Sequence, residues 1–199
     1  MIDLSQITLV CVDCVHYKSS IAAINKSIEK INFGKVLFFT DKIQPNTKFD
    51  QQIIPKITSK KAYSRFLMKN LVNYITTEFV LIIQWDGYVI NPELWDNDFL
   101  HYDYIGAPWW YNDGYNVGNG GFSLRSKKLL LVLQEKEGKY HPEDDCICRL
   151  YRKYLEVIYD IKFADEKTAA KFSFEPNKVH NEFKNNSFGF HGIPELIKK

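Results

Sequence analysis

The sequence lacks the features that mark a membrane-spanning, secreted or nucleic-acid-binding chain. None of its apolar runs approaches the roughly 20 residues that a membrane-spanning helix needs. Its first residues lack a basic segment followed by an apolar core, so we expect no signal peptide. Basic residues form no dense stripe and match no nucleic-acid-binding motif. We therefore expect a cytoplasmic protein that binds no nucleic acid, with peripheral association as its only contact with a membrane.

Cysteine is also scarce, with four residues arranged as Cys11-x-x-Cys14 and Cys146-x-Cys148. The first pair falls in a strand-like run, where residues three apart point to opposite faces. The second falls in a predicted helix, where residues two apart diverge. Structural zinc sites favour closely spaced cysteine pairs on loops. We therefore predict buried free thiols, as in a reducing compartment.

A chain of 199 residues fits one domain with a core that needs no disulfides, so we predict a single domain at 1–199. Charge is uneven along it. Residues 1–70 contain eleven Lys and Arg against five Asp and Glu, and the remainder contains fifteen against nineteen. A basic first part suits an anionic ligand such as a phosphate, but charge alone favours the simpler explanation of a lysine-rich solvated surface.

The segment Phe79–Ile83 is the most informative local feature. Five consecutive apolar residues predict a strand buried on both faces, which is typical of a parallel sheet. Gln84, Trp85 and Asp86 follow directly. Ligands of open α/β sheets bind beyond the carboxyl ends of the strands, so Asp86 is placed to hold a metal or a polar ligand. The alternative is a carboxylate that caps a turn beside Gly87.

The first forty residues predict a βαβ unit. Residues 7–15 are apolar and β-branched, and the isoleucines after Ser19 and Ser20 recur at helical spacing. Gly34 ends this predicted helix, and a second strand follows at 35–40. Beyond the unit we predict strands at 53–57 and 161–164, helices at 63–75 and 128–134, a helix from His141 to about Tyr154, and a helical turn at 165–171.

Four further features are candidates for chemistry. The first is the acidic run Glu143, Asp144 and Asp145. Acidic side chains at a helix start interact favourably with the helix dipole. Alternatively, because adjacent carboxylates repel one another, one of them has a raised pKa and acts as a base. The glycines between 116 and 121 permit close approach to a ligand or a tight turn. Trp109 and Trp110 are either core residues or a stacking surface for a sugar ring. His191, flanked by glycines and phenylalanines, is either structural or a ligand-binding imidazole.

The order of these features resembles that of the GT-A glycosyltransferases. Asn-Gly-Gly-Phe-Ser-Leu-Arg-Ser (119–126) and Pro-Glu-Asp-Asp (142–145) are similar to the glycine-rich loop and acidic motif of inverting members such as the β-1,4-galactosyltransferases. Asp-Tyr-Ile-Gly-Ala-Pro-Trp (103–109) and Phe-Gly-Phe-His-Gly (188–192) resemble a group of GT-A proteins from polysaccharide-synthesis contexts. The resemblance implies a mixed, mostly parallel α/β sheet flanked by helices, with a nucleotide-binding half at about 1–85 and an acceptor half at about 86–199.

The resemblance also implies an activity, which is transfer of a sugar from a nucleoside-diphosphate sugar to a hydroxyl of a glycan or glycolipid, with inversion. It assigns the base to Asp144, orientation of the acceptor to Glu143, and a substitute base to Asp145. The Asp-x-Asp motif of the family here reads Gln84-Trp85-Asp86, so the first acid is missing. Asp86 and His191 are then the expected ligands of Mn²⁺ or Mg²⁺.

The remaining site residues are assigned by the same resemblance. The expected donor contacts are Val12, Asp13, Asp41, Lys61, Arg65, Trp85 and Asp86, with the two basic residues neutralising the diphosphate. The expected acceptor contacts are Trp109, Trp110, Asn119, Gly120, Gly121 and Arg125. Two other readings stay open at this point: a nucleotide-sugar-binding or glycan-binding module without catalysis, and a phosphoester hydrolase with two metal ions roughly 4 Å apart.

Overall fold

The start of the chain forms the expected βαβ unit in the computed structural model, which describes residues 1–176 and 186–192. Strand β1 (Ile2–Val12) leads into helix α1 (Tyr17–Ile28), and β2 (Ile31–Thr40) returns parallel to β1. Gly34 does not end the helix as predicted but lies inside β2. A Cβ atom there would collide with the Ser5 carbonyl oxygen, so the glycine serves the close approach of the two strands.

The next elements complete the parallel part of the sheet. They are β3 (Asp50–Ile53), α2 (Lys60–Lys69), a 3₁₀ turn (Leu71–Tyr74) and β4 (Phe79–Ile83). The prediction for β4 is correct. The predicted strand at 53–57 lies three residues too late, and the helix predicted at 63–75 ends at Lys69, where a 3₁₀ turn takes over.

Within the described residues, the second half contains two 3₁₀ turns (Pro92–Leu94 and Asn97–His101), short strands and four α-helices. The strands are β5 (Tyr104–Ile105), β6 (Ala107–Pro108), β7 (Val117–Gly118), β8 (Phe122–Ser126), β9 (Ser173–Phe174) and β10 (Gly189–Phe190). The helices are α3 (Lys127–Glu135), α4 (Glu143–Asp145), α5 (Arg152–Tyr159) and α6 (Glu166–Phe172), with a π-helical turn (Cys146–Leu150) between α4 and α5. In place of the strand predicted at 161–164 there is a single bridge between Phe163 and Tyr104.

The six main strands form one sheet in the order β3-β2-β1-β4-β8-β5. The first four strands of this order are parallel, and β8 runs antiparallel to both β4 and β5. Because β1 and β4 are adjacent and parallel, their carboxyl ends lie at the same edge. The fold prediction of a mixed, mostly parallel sheet flanked by helices is confirmed.

Successive side chains of β1 point to opposite faces of the sheet, so the core has two layers. Leu9 and Cys11 pack on one face of the sheet in the cluster that contains Ile24 of α1. Val10 and Val12 pack on the other face in the cluster that contains Leu67 of α2. Burying one such side chain stabilises the fold by roughly 1.5–3 kcal/mol, so the sheet edge is held by well-packed layers on both sides.

Two further expectations concern thiols and membranes. All four cysteines are buried free thiols, as predicted. Burial raises the pKa of Cys11 and of Cys148 far above the usual range. No helix within residues 1–176 and 186–192 is long and apolar enough to cross a membrane.

Candidate functional site

A cavity of about 480 Å³ opens at the sheet edge where β1 and β4 end. Segments that are far apart in the sequence meet there, and open α/β sheets bind ligands at this edge. The cavity is therefore the candidate functional site. Its lining residues are Val12, Asp13, Cys14, Val15 and His16 after β1, Ile57 to Lys60 and Tyr63 around the start of α2, Gln84 and Trp85 after β4, Asn119 to Gly121 before β8, His141 to Asp144 around the start of α4, and Glu175 and His191.

Asp13 organises the loop after β1. Its Oδ1 accepts hydrogen bonds from the backbone N–H groups of Val15 (2.6 Å) and His16 (2.7 Å), and the Ser20 hydroxyl donates to its Oδ2 at 3.0 Å. A carboxylate that pairs with N–H groups just before a helix is favoured by the helix dipole. Asp13 thus fixes the wall of the cavity to which Val12 also contributes.

A tight turn after β4 presents Gln84 and Trp85 to the cavity. Backbone hydrogen bonds of 3.1 Å join Gln84 and Gly87 in both directions. The Gln84 Nε2 donates to the Tyr63 hydroxyl at 2.9 Å. The Trp85 ring packs against the His16 ring, with centroids 4.6 Å apart. The first acid of the Asp-x-Asp motif is therefore replaced by the side-chain amide of Gln84, which is fixed at the cavity wall.

Asp86 and His191 come together, as the sequence predicts. The Asp86 Oδ1 lies 3.6 Å from the His191 Nε2. Within the described part of the chain this buried oxygen has no hydrogen-bond partner. The His191 Nε2 also lies 3.3 Å from the Gln84 Oε1, and its Nδ1 lies 3.1 Å from the Glu175 Oε1. Asp86 itself is not among the residues that line the cavity.

The environment of His191 favours its protonated form. Burial lowers the pKa of its imidazole, but the hydrogen bond to Glu175 and the charges of Asp86, Glu175 and Asp144 outweigh burial, so the pKa is raised. The ring packs directly on Gly121, where a Cβ atom would collide with the Nε2. Gly121 is therefore needed to seat the imidazole, whatever else it contacts.

Asp86 and His191 carry two of the ligand types that a divalent metal takes. Two ligand atoms about 2.1 Å from one ion lie about 3.0 Å apart when adjacent and about 4.2 Å apart when opposite, and the observed 3.6 Å falls between these. The carboxylate of Glu175 on the other ring nitrogen is the arrangement common around metal-binding histidines. The described residues contain no group of three or more His, Cys, Asp or Glu able to hold a metal, so this pair is a partial ligand set.

Glu143 is buried among structural partners. Its side chain accepts a hydrogen bond from the Ser64 hydroxyl at the Oε2 (2.9 Å) and faces the Arg125 Nη2 at the Oε1 (3.5 Å). Only 6% of the residue is exposed. A Cβ atom on Gly120 would collide with the Oε1, so the carboxylate is packed against the glycine segment.

Asp144 lines the cavity beside Glu143 and is the less buried of the two. Its Oδ2 accepts a hydrogen bond from the backbone N–H of Gly120 at 3.2 Å, and its Oδ1 accepts one from that of Asp145 at 3.0 Å. Asp145 lies outside the cavity lining. Burial and the charge of Asp144 raise the pKa of Asp145. Of the three predicted catalytic residues, Glu143 and Asp144 line the cavity and Asp145 does not.

The glycine segment lies in the cavity as predicted. Asn119 has a positive φ of 75°, and its Oδ1 accepts a hydrogen bond from the backbone N–H of Gly121 at 2.7 Å. The Tyr104 hydroxyl donates to the Asn119 carbonyl oxygen at 2.9 Å. The Asn119 Nδ2 is buried and has no partner among the described residues. It is a free donor on a residue of the cavity wall.

The structure does not bring Arg125 to the cavity. Arg125 lies on β8 with 0% exposure, its guanidinium 5.3 Å from the centre of the Tyr104 ring. The Arg125 Nε donates to the Ser123 hydroxyl at 3.1 Å. The prediction of an acceptor contact is wrong in this respect, because the segment taken for a loop is a strand between β4 and β5. An arginine there is covered from both sides.

Trp109 and Trp110 are likewise absent from the cavity lining. Trp109 is 6% exposed and packs on Gly118, where a Cβ atom would collide with its ring. Trp110 is 61% exposed beside Tyr111, with ring centroids 5.3 Å apart. The structure thus separates the two tryptophans into a core residue and a surface residue. The tryptophan at the cavity is Trp85.

Besides Asp86, three predicted donor contacts are absent from the cavity lining. Asp41 accepts a hydrogen bond from the Tyr17 hydroxyl at 2.7 Å, which holds the pKa of Asp41 below its usual value. Lys61 and Arg65 are exposed on α2 and do not line the cavity. The basic residue of α2 that does is Lys60. A shift of one residue turns a helix position by about 100°, and the charge pattern of the sequence cannot fix this rotation.

Sequence reasoning missed Lys60, Tyr63, His141 and Glu175. His141 had a usable signal, because it directly precedes the Pro-Glu-Asp-Asp motif. No sequence signal points to Lys60, Tyr63 or Glu175, because their positions depend on the rotation of α2 and on the path of the chain after α6.

Comparisons with known proteins identify a family and a fold. The sequence profile of a family described as "Protein of unknown function (DUF5672)" matches residues 46–191. No curated protein matches the chain significantly. Among solved structures, a glycosyltransferase involved in the glycosylation of the major capsid of PBCV-1 is similar with a TM-score of 0.58 and 12% identity, covering 96% of this chain and 98% of that one.

A second similar structure is the apo form of the glycosyltransferase GlyE from Streptococcus pneumoniae TIGR4. Its TM-score is 0.54 at 15% identity, and the match covers 94% of this chain and 54% of that one. At sequence identities this low, the structural similarity shows the fold alone. The fold is that of the GT-A glycosyltransferases.

Proposed function

The chain belongs to the DUF5672 family, and because it has a GT-A fold we propose that it transfers a sugar from a nucleoside-diphosphate sugar to a hydroxyl group of a glycan or glycolipid. The product would be a surface polysaccharide or a related glycan. The proposal adds a mechanism, which is inversion at the anomeric carbon with a carboxylate base.

One observation carries this proposal. A single cavity unites the loop after β1, the Gln84-Trp85 turn, the glycine segment and Asp144. The first two occupy the end of a nucleotide-binding type of sheet. The others add a buried amide donor on Asn119 and a carboxylate that hydrogen bonds to the Gly120 backbone. A ligand that spans such a cavity needs a charged or planar end and a polyhydroxylated end, as a nucleotide sugar has.

Asp144 is the base in this proposal. Its carboxylate accepts the proton of the acceptor hydroxyl as that oxygen attacks the anomeric carbon. The new carbon–oxygen bond forms while the bond to the diphosphate breaks, and the nucleoside diphosphate leaves with the electron pair. Attack and departure on opposite faces invert the anomeric configuration. The hydrogen bond from Gly120 fixes one carboxylate oxygen and leaves the side chain oriented.

The donor end is proposed to be bound by Asp13, Lys60 and Trp85. Trp85 offers an aromatic face already stacked on His16, and Lys60 offers the positive charge at the cavity that a diphosphate requires. Asp86 and His191 would hold Mn²⁺ or Mg²⁺ together with diphosphate oxygens. A bound divalent cation would neutralise charge on the leaving diphosphate.

A ligand screen followed by a transfer assay tests the proposal. We expect a nucleoside diphosphate and its sugars to raise the melting temperature, with a larger effect in Mn²⁺. Asp144→Asn should lower kcat at least about 100-fold, as expected for a lost general base, with unchanged affinity for the nucleoside diphosphate. Asp145→Asn is the matched control and should stay within a few-fold of wild type.

The outcomes separate the alternatives. Normal turnover by Asp144→Asn would refute the base assignment. Nucleotide-sugar binding without transfer or hydrolysis would favour a binding module, which the replacement of the first acid by Gln84 makes the second candidate. Absence of any nucleotide effect would contradict the proposal as a whole.

A further inference from the structure

His141 lies at the cavity and is held by a buried hydrogen-bonded chain. Its Nδ1 lies 2.9 Å from the Ser64 Oγ, and the Ser64 hydroxyl donates to the Glu143 Oε2 at 2.9 Å. Ser64 is 1% exposed and Glu143 is 6% exposed. One imidazole at the cavity wall is therefore connected through one hydroxyl to one buried carboxylate.

Counting protons fixes the tautomer of His141. A serine hydroxyl has one hydrogen, and a carboxylate only accepts hydrogen bonds. Glu143, which faces the Arg125 guanidinium at 3.5 Å, therefore takes the hydrogen of Ser64. The His141 Nδ1 must then carry a hydrogen and donate it to the Ser64 Oγ. In the neutral imidazole this leaves the Nε2 without a hydrogen, as an acceptor.

Both carboxylate oxygens of Glu143 already have partners in the protein. Its two oxygens are directed to Ser64 and Arg125, and the Oε1 also packs against Gly120. His141 lines the cavity, and the ring nitrogen that Ser64 does not contact is its Nε2.

The chemistry of that acceptor selects the ligand group. A nitrogen without a hydrogen binds a donor, and the oxygens of an ionised diphosphate have no hydrogen to donate. Sugar hydroxyls do. We propose that His141 binds a hydroxyl of a sugar through its Nε2, and that Ser64 and Glu143 are positioning residues that fix its tautomer. This inference rests on the proposed glycosyl transfer and names a sugar-binding residue for it.

The tautomer can be tested without any ligand. In ¹⁵N-histidine NMR spectra of the whole protein at pH 8, the His141 ring should show a protonated Nδ1 and a bare Nε2. Ser64→Ala should abolish this preference, and the other four histidines provide internal references. A ring protonated at the Nε2 in the wild type, or an unchanged tautomer in Ser64→Ala, would overturn the positioning role.

Two substitutions of His141 test the sugar contact. The amide of His141→Asn lies near the former Nδ1 and keeps a donor toward Ser64, but it lacks an acceptor at the former Nε2. The longer amide of His141→Gln reaches the former Nε2 with an acceptor oxygen. We therefore expect His141→Asn to weaken sugar binding about tenfold, as for one lost hydrogen bond, and His141→Gln to retain most of it.

Calorimetry and kinetics locate the hydroxyl. The probes are UDP, UDP-glucose, UDP-galactose, UDP-N-acetylglucosamine and the corresponding GDP compounds. If the hydroxyl belongs to the transferred sugar, His141→Asn loses affinity for the sugar nucleotide but not for the bare diphosphate. If it belongs to the acceptor, both affinities persist and the acceptor KM rises. Lower affinity of His141→Asn for the bare diphosphate would place the contact on the nucleotide and overturn the proposal.

The failure of this inference differs from that of the proposed function. In one outcome the wild type transfers sugar, and His141→Asn has the same affinities and KM values as wild type and His141→Gln. This outcome overturns the sugar contact alone. A folded wild type that binds none of the nucleotide sugars contradicts the proposed function and the sugar contact together, while the NMR result still decides the tautomer.

Discussion

The backbone N–H of Gly120 donates a hydrogen bond to the Asp144 Oδ2 at 3.2 Å, which ties the start of α4 to the segment before β8. The proposed base is thereby held by main chain and not by a flexible side chain. The same glycine packs against the Glu143 Oε1. One residue without a side chain thus sets the distance between the acidic motif and the glycine segment.

Gly120→Ala should disturb the contacts that Gly120 makes with Asp144 and Glu143. The added Cβ would collide with the Glu143 Oε1 and lie 3.5 Å from the Arg125 Nη2, so we expect overpacking to lower the free energy of unfolding by about 1–3 kcal/mol. Sugar transfer should be lost as well. Urea denaturation measures the first effect, and the transfer assay measures the second.

Gly114→Ala is the matched control for this substitution. Gly114 has a positive φ of 82° and no atom within 4 Å of the added Cβ, so it carries backbone strain of about 1 kcal/mol without a collision at the cavity. Transfer should persist in this variant. Equal denaturation midpoints for Gly120→Ala and wild type would contradict the packing described here.

Arg125 and Glu143 form a buried ion pair whose halves depend on each other. Arg125 is 0% exposed and Glu143 is 6% exposed. Arg125→Met leaves an uncompensated buried carboxylate, so we expect a loss of about 3–5 kcal/mol in the free energy of unfolding. Adding Glu143→Gln should recover part of that loss. A double-mutant cycle by urea denaturation measures the coupling, and additive effects of the two substitutions would refute it.

The sequence predicts the fold better than it predicts the cavity wall. Phe79–Ile83 and the βαβ unit were readable because a strand buried on both faces leaves a continuous apolar run. Arg125 was misread because a charged residue in a central strand breaks that rule. Its burial is compensated by Glu143 and Tyr104, which are distant in sequence.

The same limit applies to α2 and to the tryptophans. Lys60, Lys61 and Arg65 differ by helix rotation, which is set by packing against other elements. Trp109 and Trp110 are adjacent and identical in type, so no local pattern shows which one is buried. Asp144 and His191 were found because their motifs resemble those of a family, and such motifs carry information on tertiary contacts that periodicity lacks.

Asp165 should make stability depend on pH through the start of α6. Burial raises the pKa of its carboxyl group, but hydrogen bonds from the Thr168 backbone N–H (2.9 Å) and hydroxyl (2.8 Å) and from Tyr102 (3.3 Å) outweigh this, so the pKa is lowered. A lowered pKa in the folded state gives stability that is present above the unfolded value of about 3.9 and lost as pH falls through the folded value.

Asp165→Ala should therefore cost about 1 kcal/mol of unfolding free energy at pH 7, the usual effect of removing a helix N-cap. The difference from wild type should shrink as pH falls below about 4. Urea denaturation at pH 7, 4 and 3 measures it. A difference that stays constant over this range would show that the ionised carboxylate is not the stabilising form.

Asp160 ends α5 in a left-handed conformation, with a φ of 50°. Its Cβ is unfavourable there, and its negative charge lies at the negative end of the helix dipole. Asp160→Gly removes both and keeps the backbone carbonyl that accepts a hydrogen bond from Lys128 at 2.7 Å. We expect the free energy of unfolding to rise by about 0.5–1 kcal/mol.

Asn46→Gly separates the two contributions to this gain. Asn46 also has a positive φ, of 59°, but it is uncharged and lies at no helix end, so its gain should be smaller. Thermal denaturation of both variants gives the comparison. A lower melting temperature for Asp160→Gly than for wild type would show that the aspartate side chain stabilises the end of α5.

Gly121→Ala tests the seat of the imidazole beside Asp86. An added Cβ would collide with the His191 Nε2 and displace the ring, which now lies with this nitrogen 3.6 Å from the Asp86 carboxylate. If the two residues bind a divalent cation with the donor diphosphate, the variant should lose the extra thermal stabilisation that Mn²⁺ gives to UDP or GDP. Stabilisation by the nucleotide in EDTA should remain, because Asp13 and Trp85 are untouched.

His191→Gln should likewise lose the Mn²⁺ effect and keep the stabilisation in EDTA. A full Mn²⁺ effect in both variants would place the cation away from Asp86 and His191, whereas its loss in His191→Gln alone would show that the collision at Gly121 is relieved by a shift that preserves the site.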